Sequence, residues 1–89
     1  MRVVRTDIPG PVILRENACI EGDVRGDLTI PSGVRVVLKG DVLGGVLLCA
    51  GAFADIRGVV QGTLHNEGGA YALSGSIGAL KSTRSKRYA

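Results

Sequence analysis

Apolar and charged side chains alternate along most of this chain. Between Gly22 and Ser74 no even-numbered position is charged, whereas ten of the odd-numbered positions from Glu21 to Leu73 are Asp, Glu, Lys or Arg. A period of two is the pattern of a β-strand with one buried and one exposed side. Because one phase persists throughout this segment, the chain must turn corners without changing which side chains face inward.

A repeat of 18 residues is superimposed on this alternation. The segment Gly-Asp-Val-Arg-Gly-Asp-Leu begins at Gly22, Gly-Asp-Val-Leu-Gly-Gly-Val begins at Gly40, and Gly-Val-Val-Gln-Gly-Thr-Leu begins at Gly58. A shorter copy begins at Gly75, and apolar residues recur at steps of six within each repeat. This pattern predicts an all-β fold: a single-stranded triangular β-solenoid (β-helix) of about four 18-residue coils, with three short strands per coil.

Stacked coils place equivalent residues of successive repeats directly above one another, at the strand spacing of about 4.8 Å. Inward positions should therefore form continuous apolar columns, and glycine is expected at corners where the backbone bends or passes close to its neighbour. Asn66, the one amide in these columns, is expected to bond to the backbone. The predicted columns are Val24/Val42/Val60, Leu28/Val46/Leu64, Val36/Ala54/Ala72 and Val12/Ile30/Leu48/Asn66.

The pattern divides the chain into three parts. Residues 1–11 are expected to be an N-terminal cap or entry segment, residues 12–80 the solenoid domain, and residues 81–89 a flexible basic tail. The last repeat is one residue shorter, because Gly-Ala-Phe-Ala-Asp-Ile-Arg-Gly at 51–58 becomes Gly-Ala-Tyr-Ala-Leu-Ser-Gly at 69–75. Atypical end repeats are typical of solenoid caps.

The net charge of +3 arises at the end of the chain, from Lys81, Arg84, Lys86 and Arg87. The tail has three interpretations: a solubilising end, a contact for anionic lipid, or a contact for nucleic acid. The first is favoured, because so few charges alone bind weakly and in a salt-sensitive way. We therefore expect no nucleic-acid partner and at most weak membrane contact.

The location expected for this protein is the cytoplasm. Cys19 and Cys49 are too few for a disulfide framework, and reduced thiols are the expected state. The first residues lack the apolar core of a signal peptide, and the apolar stretch at 45–54 is too short to cross a bilayer.

No set of residues predicts a catalytic, metal or cofactor site. His65 is the only histidine and occupies an outward position, whereas solenoid enzymes that hold zinc need several imidazoles. The Gly-x-x-x-Gly spacing lacks the Gly-Lys-Ser/Thr of a phosphate-binding loop. Asp23, Asp27 and Asp41 are not repeated through the later coils, so we interpret them as solvated surface charges rather than calcium ligands. We expect a protein that is not an enzyme and uses no cofactor.

Outward apolar residues in the middle of the chain predict a contact surface. Leu43, Leu47, Cys49 and Phe53 occupy odd positions, and Tyr71 is expected to stack one coil above Phe53. The last four of these five residues should lie on or beside one face of the triangle. A contiguous apolar patch on so small a body is typical of a partner surface, with cover by the N-terminal segment or the tail as the alternative.

The three glycine-rich repeats described above resemble the bactofilins, which are bacterial polymer-forming scaffold proteins. The similarity lies in the Gly-x-Val/Ile-x-Gly-x-Leu/Ile beats and the coil length, and it covers about residues 12–80. The resemblance implies a right-handed triangular β-helix that joins end to end into nucleotide-free filaments. Left-handed hexapeptide acyltransferases share the six-residue repeat, but they are longer and carry a catalytic histidine, so we rank that resemblance lower.

If copies of the solenoid join at their ends, the residues expected at the contacts are Val12, Leu14, Ile77 and Leu80.

Two functions are predicted from these observations. The first is a non-enzymatic bacterial scaffold that self-associates through the solenoid ends, either into a filament or into a closed dimer. The second is a small soluble binding module, such as an inhibitor or immunity protein, which presents Leu47, Phe53 and Tyr71 to one protein target.

Overall fold

The computed structural model describes residues 2–82, which form strands and turns without any helix. Within this range the strands form two five-stranded parallel sheets, which we name sheet A (β1-β3-β5-β7-β9) and sheet B (β2-β4-β6-β8-β10). The strands are β1 Arg2–Val4, β2 Val12–Ile13, β3 Ala18–Ile20, β4 Leu28–Ile30, β5 Arg35–Leu38, β6 Val46–Leu48, β7 Phe53–Ile56, β8 Val59–Asn66, β9 Ala70–Leu73 and β10 Ser76–Ser82.

A third, much narrower face separates the two sheets. It consists of single parallel bridges that join Ile8 to Val24, Val24 to Val42 and Val42 to Val60, and Ile77 pairs with Val60 one coil further on. The β-solenoid is thus confirmed, and its first three coils each contain two strands and one bridge rather than three strands. The described residues make about five coils rather than four, because the segment before residue 12 contributes β1 and the Ile8 bridge.

The narrow face is bounded by two columns of glycine, which explains the recurring Gly-x-Val-x-Gly motif. A Cβ atom on Gly40 would collide with the backbone carbonyl of Gly22, and one on Gly44 would collide with the backbone of Gly26. Between the two glycines only Val42 points inward, and it is 1% exposed. The four-residue spacing therefore reflects two sharp corners, at which successive coils approach more closely than any side chain allows.

The core is the stack of inward columns that the alternation predicted. The columns Val24/Val42/Val60 and Leu28/Val46/Leu64 are confirmed by the pairing of successive coils. Removing these side chains from water stabilises the fold by about 1.5–3 kcal/mol for each Val or Leu. The fully buried large side chains are Ile20, Leu28, Ile30, Leu38, Leu48, Ile56, Leu64, Val24, Val36, Val42, Val46 and Val60.

The first coil is shorter than the predicted 18 residues. Val12 pairs with Leu28, 16 residues later, so the prediction that it lies below Ile30 is wrong. The difference arises at the corner that leads from sheet B to sheet A. In the second and third coils this corner is widened by a turn and by the buried side chains of Val34 and Ala52, which the first coil lacks.

The last coil also shifts its register. Ala54 pairs with Tyr71 and Asp55 pairs with Ala72, so Ala72 does not complete the predicted Val36/Ala54/Ala72 column. Asn66 sets this shorter corner, because its Oδ1 accepts hydrogen bonds from the N–H groups of Gly68 and Gly69 at 3.0 and 2.7 Å. Its Nδ2 donates to the Gly69 carbonyl, which confirms the backbone bonding predicted for this amide.

Candidate contact surfaces

One corner of the solenoid carries a ladder of aspartates whose side chains bond to the coil above. The N–H of Asp23 donates to Oδ1 of Asp7, that of Asp41 donates to Oδ1 of Asp23, and that of Val59 donates to Oδ1 of Asp41, each at 3.0 Å. The single bridges of the narrow face leave these corner N–H groups without a backbone acceptor. The carboxylates supply that acceptor, and the ladder ends where the sequence changes to Val59.

A fourth aspartate, outside this ladder, acts in the same way at the neighbouring corner. Oδ1 of Asp27 accepts the N–H of Gly45 at 2.9 Å. The sequence predicts that Asp23, Asp27 and Asp41 are solvated surface charges rather than calcium ligands, and the structure adds that each accepts a backbone hydrogen bond from the next coil. The signal that identifies them is a corner glycine directly before each aspartate, and Asp23 and Asp41 occupy the same place in successive coils. Among the described residues no group of three or more potential ligands is arranged to hold a metal ion.

The lowest aspartate of the ladder has a perturbed pKa. The hydrogen bond from the Asp23 N–H, followed by the hydrogen bond from Arg25, holds the pKa of Asp7 below its ordinary value of 3.8. The Arg25 guanidinium lies 3.1 Å from Oδ2 of Asp7 and joins the first and second coils. These contacts favour the charged form of the carboxyl group.

The predicted apolar patch does not form one surface. Leu47 lies on the outer side of sheet B in β6, whereas Phe53 lies on the outer side of sheet A in β7. Cys49 lies in the corner between the two sheets, and Leu43 is 48% exposed on the narrow face. Tyr71 does not stack on Phe53, since Ala70 occupies that position. A role for these residues in partner binding stays a prediction, but the structure distributes them around the solenoid.

On sheet A the neighbour of Phe53 is charged. The Arg35 guanidinium lies over the Phe53 ring, 5.4 Å from its centroid, in a cation–π contact between adjacent coils. This contact covers part of the ring, which is half-buried. Phe53 is therefore engaged within the solenoid rather than presented as part of a larger apolar face.

His65 borders a shallow groove on the outer side of sheet B, together with Leu47, Thr29 and Thr63. Its Nε2 lies 3.7 Å from Oε2 of Glu67 and, within the described part of the chain, forms no hydrogen bond. The imidazole is only partly buried.

The N-terminal end of the solenoid exposes part of the core. Val4, Ile8, Val12 and Leu14 pack against the buried residues of the second coil, and each is half-buried. In the register of the coils, Val4 lies below Ile20. Two of the four predicted end-contact residues, Val12 and Leu14, are thus part of an apolar surface that closes one end of the described solenoid.

The C-terminal end of the described solenoid is similarly apolar. Tyr71 and Ile77 pack on the core and are half-buried, whereas Leu73 and Leu80 are 41% and 52% exposed. No charged residue occurs between Glu67 and Lys81, so the rim of this coil is neutral as well. The other two predicted end-contact residues, Ile77 and Leu80, belong to this surface.

The predicted basic tail lies mostly outside the described residues. Strand β10 continues to Ser82, so the backbone of Lys81 pairs with that of His65. The other three predicted contact residues, Arg84, Lys86 and Arg87, lie beyond residue 82.

No helix in the described part of the chain has the length and apolar character needed to span a membrane. Comparison of the chain with protein-family models, with curated proteins and with solved structures found no match.

Proposed function

We propose that this protein is a non-enzymatic scaffold that associates with other copies of itself through the ends of its solenoid. One observation carries the proposal: three inward columns run through all five described coils, from Val4 to Leu73, from Ile8 to Ile77 and from Val12 to Leu80, and the apolar side chains at their ends are incompletely buried. The resemblance of the repeats to the bactofilins, which form scaffolds of this kind, supports the same function. It also favours a bacterial, cytoplasmic setting.

The backbone at the N-terminal end supports the proposal, as the apolar side chains there do. In the first coil the N–H groups of Arg2, Ile8 and Val12 donate to the second coil. The backbone groups of alternate residues, such as Val3 and Ile13, point away from it, because β1 and β2 are edge strands in the described sheets. Edge strands present unpaired donors and acceptors that favour pairing with another strand.

The binding-module hypothesis has less support. It required Leu47, Phe53 and Tyr71 to share one surface, and these residues lie on sheet B, on sheet A and in an inward column, respectively. End association requires no such shared face. It uses the two apolar surfaces that the repeat itself generates.

Light scattering over a range of protein concentrations tests this proposal. We expect the mean mass to rise with concentration, and we expect the double variant Val12→Glu/Leu80→Glu to remain monomeric, because it places a charge on each end. The matched control is Leu43→Glu, which places the same charge on the narrow face of the middle coil. Circular dichroism verifies that each variant retains its β-structure.

Two outcomes contradict the proposal. The first is a wild-type protein that is monomeric at every concentration at low salt. The second is an association that survives the two end charges and is lost in Leu43→Glu, because that result assigns the contact to the side of the solenoid.

A further inference from the structure

The outer side of sheet B contains a gap in a column of side chains. Asp27, Gly45 and Thr63 form one outward column, each directly before a residue of the buried column that begins at Leu28. Gly45 has no side chain, so the column is interrupted between a carboxylate and a hydroxyl group whose residues lie two coils apart, or roughly 10 Å. A Cβ atom on Gly45 would lie 2.8 Å from the Thr63 carbonyl oxygen. The close approach of the coils therefore keeps this position empty.

The gap is part of the shallow groove that His65 borders. The groove has a volume of about 300 Å³, and Thr29 and Leu47 line it from the adjacent outward column. The hydroxyl groups of Thr29 and Thr63 form no hydrogen bond with the described residues. The groove thus combines an aliphatic surface with hydroxyl groups that are available to a ligand.

Among the described residues that line the groove, Asp27 supplies the only carboxylate. Its Oδ1 accepts the Gly45 N–H at 2.9 Å, which leaves Oδ2 for another partner. No Lys or Arg side chain that the structure describes forms an ion pair with Asp27, whereas Asp7 and Asp55 are each paired with an arginine. A carboxylate oxygen beside hydroxyl acceptors favours a cation that donates hydrogen bonds.

The opposite end of the groove is less favourable for a cation. Nε2 of His65 lies 3.7 Å from Oε2 of Glu67, so that carboxylate already has a neighbour. In the outward column the backbone of Lys81 pairs with that of His65, one coil beyond the groove. A cationic group is therefore expected at the Asp27 end.

We propose that this groove binds a lysine side chain of a partner protein, with the ammonium group at Asp27 and the aliphatic stem along Leu47. Lysine fits better than arginine, because a guanidinium prefers both oxygens of a carboxylate and only Oδ2 of Asp27 is available. The three N–H donors of an ammonium group equal in number the acceptors offered by Asp27, Thr29 and Thr63.

The depth of the groove favours a protein over a small amine. The groove is too shallow to enclose a small ligand, so the exposed side of the ammonium group must be covered by the protein that carries it. The site lies on the side of the solenoid, away from both ends. The inference therefore does not depend on the proposed self-association, and it assigns a contact that remains accessible in an assembled scaffold.

Ligand-observed NMR on the full chain tests the site. Saturation transfer from the protein to a weakly bound peptide is measurable even when the protein forms large assemblies. The probe is the peptide acetyl-Gly-Lys-Gly-amide, and the same peptide with an acetylated lysine is the neutral control. We expect saturation of the lysine side-chain protons in the first peptide only, and weaker binding at high salt, because exposed charges are screened.

Two aspartates provide a matched pair of variants. Asp27→Asn and Asp41→Asn each remove one negative charge and keep an oxygen that accepts the N–H of the next coil, but only Asp27 lines the groove. We expect Asp27→Asn to weaken binding of the lysine peptide about fivefold, and Asp41→Asn to change it by less than about twofold. Thr63→Val keeps the shape of the side chain and is expected to weaken binding about twofold.

Three outcomes overturn the proposal: no saturation transfer to the lysine peptide from the wild-type protein, equal binding of the two peptides, or equal losses in Asp27→Asn and Asp41→Asn. The last result would assign the binding to overall charge rather than to the groove.

The chain's own basic residues are a competing occupant of the groove. They are tested with the full-length variant Arg84→Gln/Lys86→Gln/Arg87→Gln. An affinity for the lysine peptide that stays within about twofold of the wild-type value supports a partner's lysine. A larger rise in affinity assigns the groove to the end of this chain and overturns the assignment to a partner.

Discussion

Tyr71 lies one coil above Ala54 in the inward register, and Ala70 occupies the position above Phe53. The two aromatic residues are therefore on opposite sides of sheet A, although an uninterrupted 18-residue repeat would place them together. The omission of one residue in the last corner turns Tyr71 from a surface residue into part of the cover over the core.

This arrangement predicts which pairs of residues are energetically coupled. A double-mutant cycle with Arg35→Ala and Phe53→Ala is expected to give a coupling free energy of about 0.5–1 kcal/mol, because the guanidinium lies over the ring. The cycle with Phe53→Ala and Tyr71→Ala is expected to be additive within about 0.5 kcal/mol. Urea unfolding of the single and double variants measures both quantities. A large coupling between the two aromatic residues would contradict their placement on opposite sides of the sheet.

The glycine columns predict that two glycines differ in their tolerance of side chains. Gly40→Ala is expected to lower the free energy of unfolding by about 1–3 kcal/mol, because the new Cβ collides with the Gly22 carbonyl. Gly33 has a φ of 80°, but a Cβ atom on this residue would have no other atom within 4 Å. Gly33→Asn is therefore expected to cost less, since Asn tolerates this conformation. Thermal or urea unfolding measures both variants. If Gly40→Ala and Gly33→Asn lower the free energy of unfolding equally, the close approach of the coils at Gly40 is not the cause of its loss of stability.

The aspartate ladder predicts that an acceptor, rather than a negative charge, is required at the corner. Asp23→Ala removes the acceptor for the Asp41 N–H and is expected to destabilise the fold by about 1–2 kcal/mol. Asp23→Asn keeps an oxygen in place and is expected to restore most of that loss. If both variants unfold at the same urea concentration, the hydrogen bond is not the source of the stabilisation.

Acid pH is expected to weaken the link between the first two coils. The folded-state pKa of Asp7 is lower than its ordinary value of 3.8, so its contribution to stability is present above the unfolded-state pKa. That contribution is lost as the pH falls through the folded-state pKa, because the protonated carboxyl binds the Asp23 N–H and Arg25 less strongly. Thermal unfolding between pH 5 and pH 2.5 should therefore show a smaller acid-induced loss in Asp7→Asn than in the wild type. If acid lowers the thermal stability of both proteins equally, Asp7 is not the group responsible for the effect.

Much of the fold follows from local pattern. Wherever the repeat is regular, from Val24 to Val60 and from Leu28 to Leu64, the predicted columns agree with the structure. The prediction fails where corners change length, at Val12 and at Tyr71. The alternation of side chains reports which way a residue faces, but it does not report how many residues a corner takes.

The candidate contact surfaces could also be predicted only in part from the sequence. Val12, Leu14, Ile77 and Leu80 could be identified at the ends of the chain because apolar residues continue there. The spread of Leu47 and Phe53 over different sheets depends on the position of the corner between them, which side-chain alternation does not specify. The aspartate ladder also escaped prediction, because its acceptors bond to N–H groups that become neighbours only after the coils have stacked.

The sequence by itself determined that this protein winds into stacked coils around an aliphatic core, because the alternation and the repeat are properties of consecutive residues. Only the tertiary structure decided the length of each coil and the side on which Tyr71 lies. These features depend on contacts between residues 16 to 18 positions apart. Their geometry is set by how each corner packs against the coils that flank it.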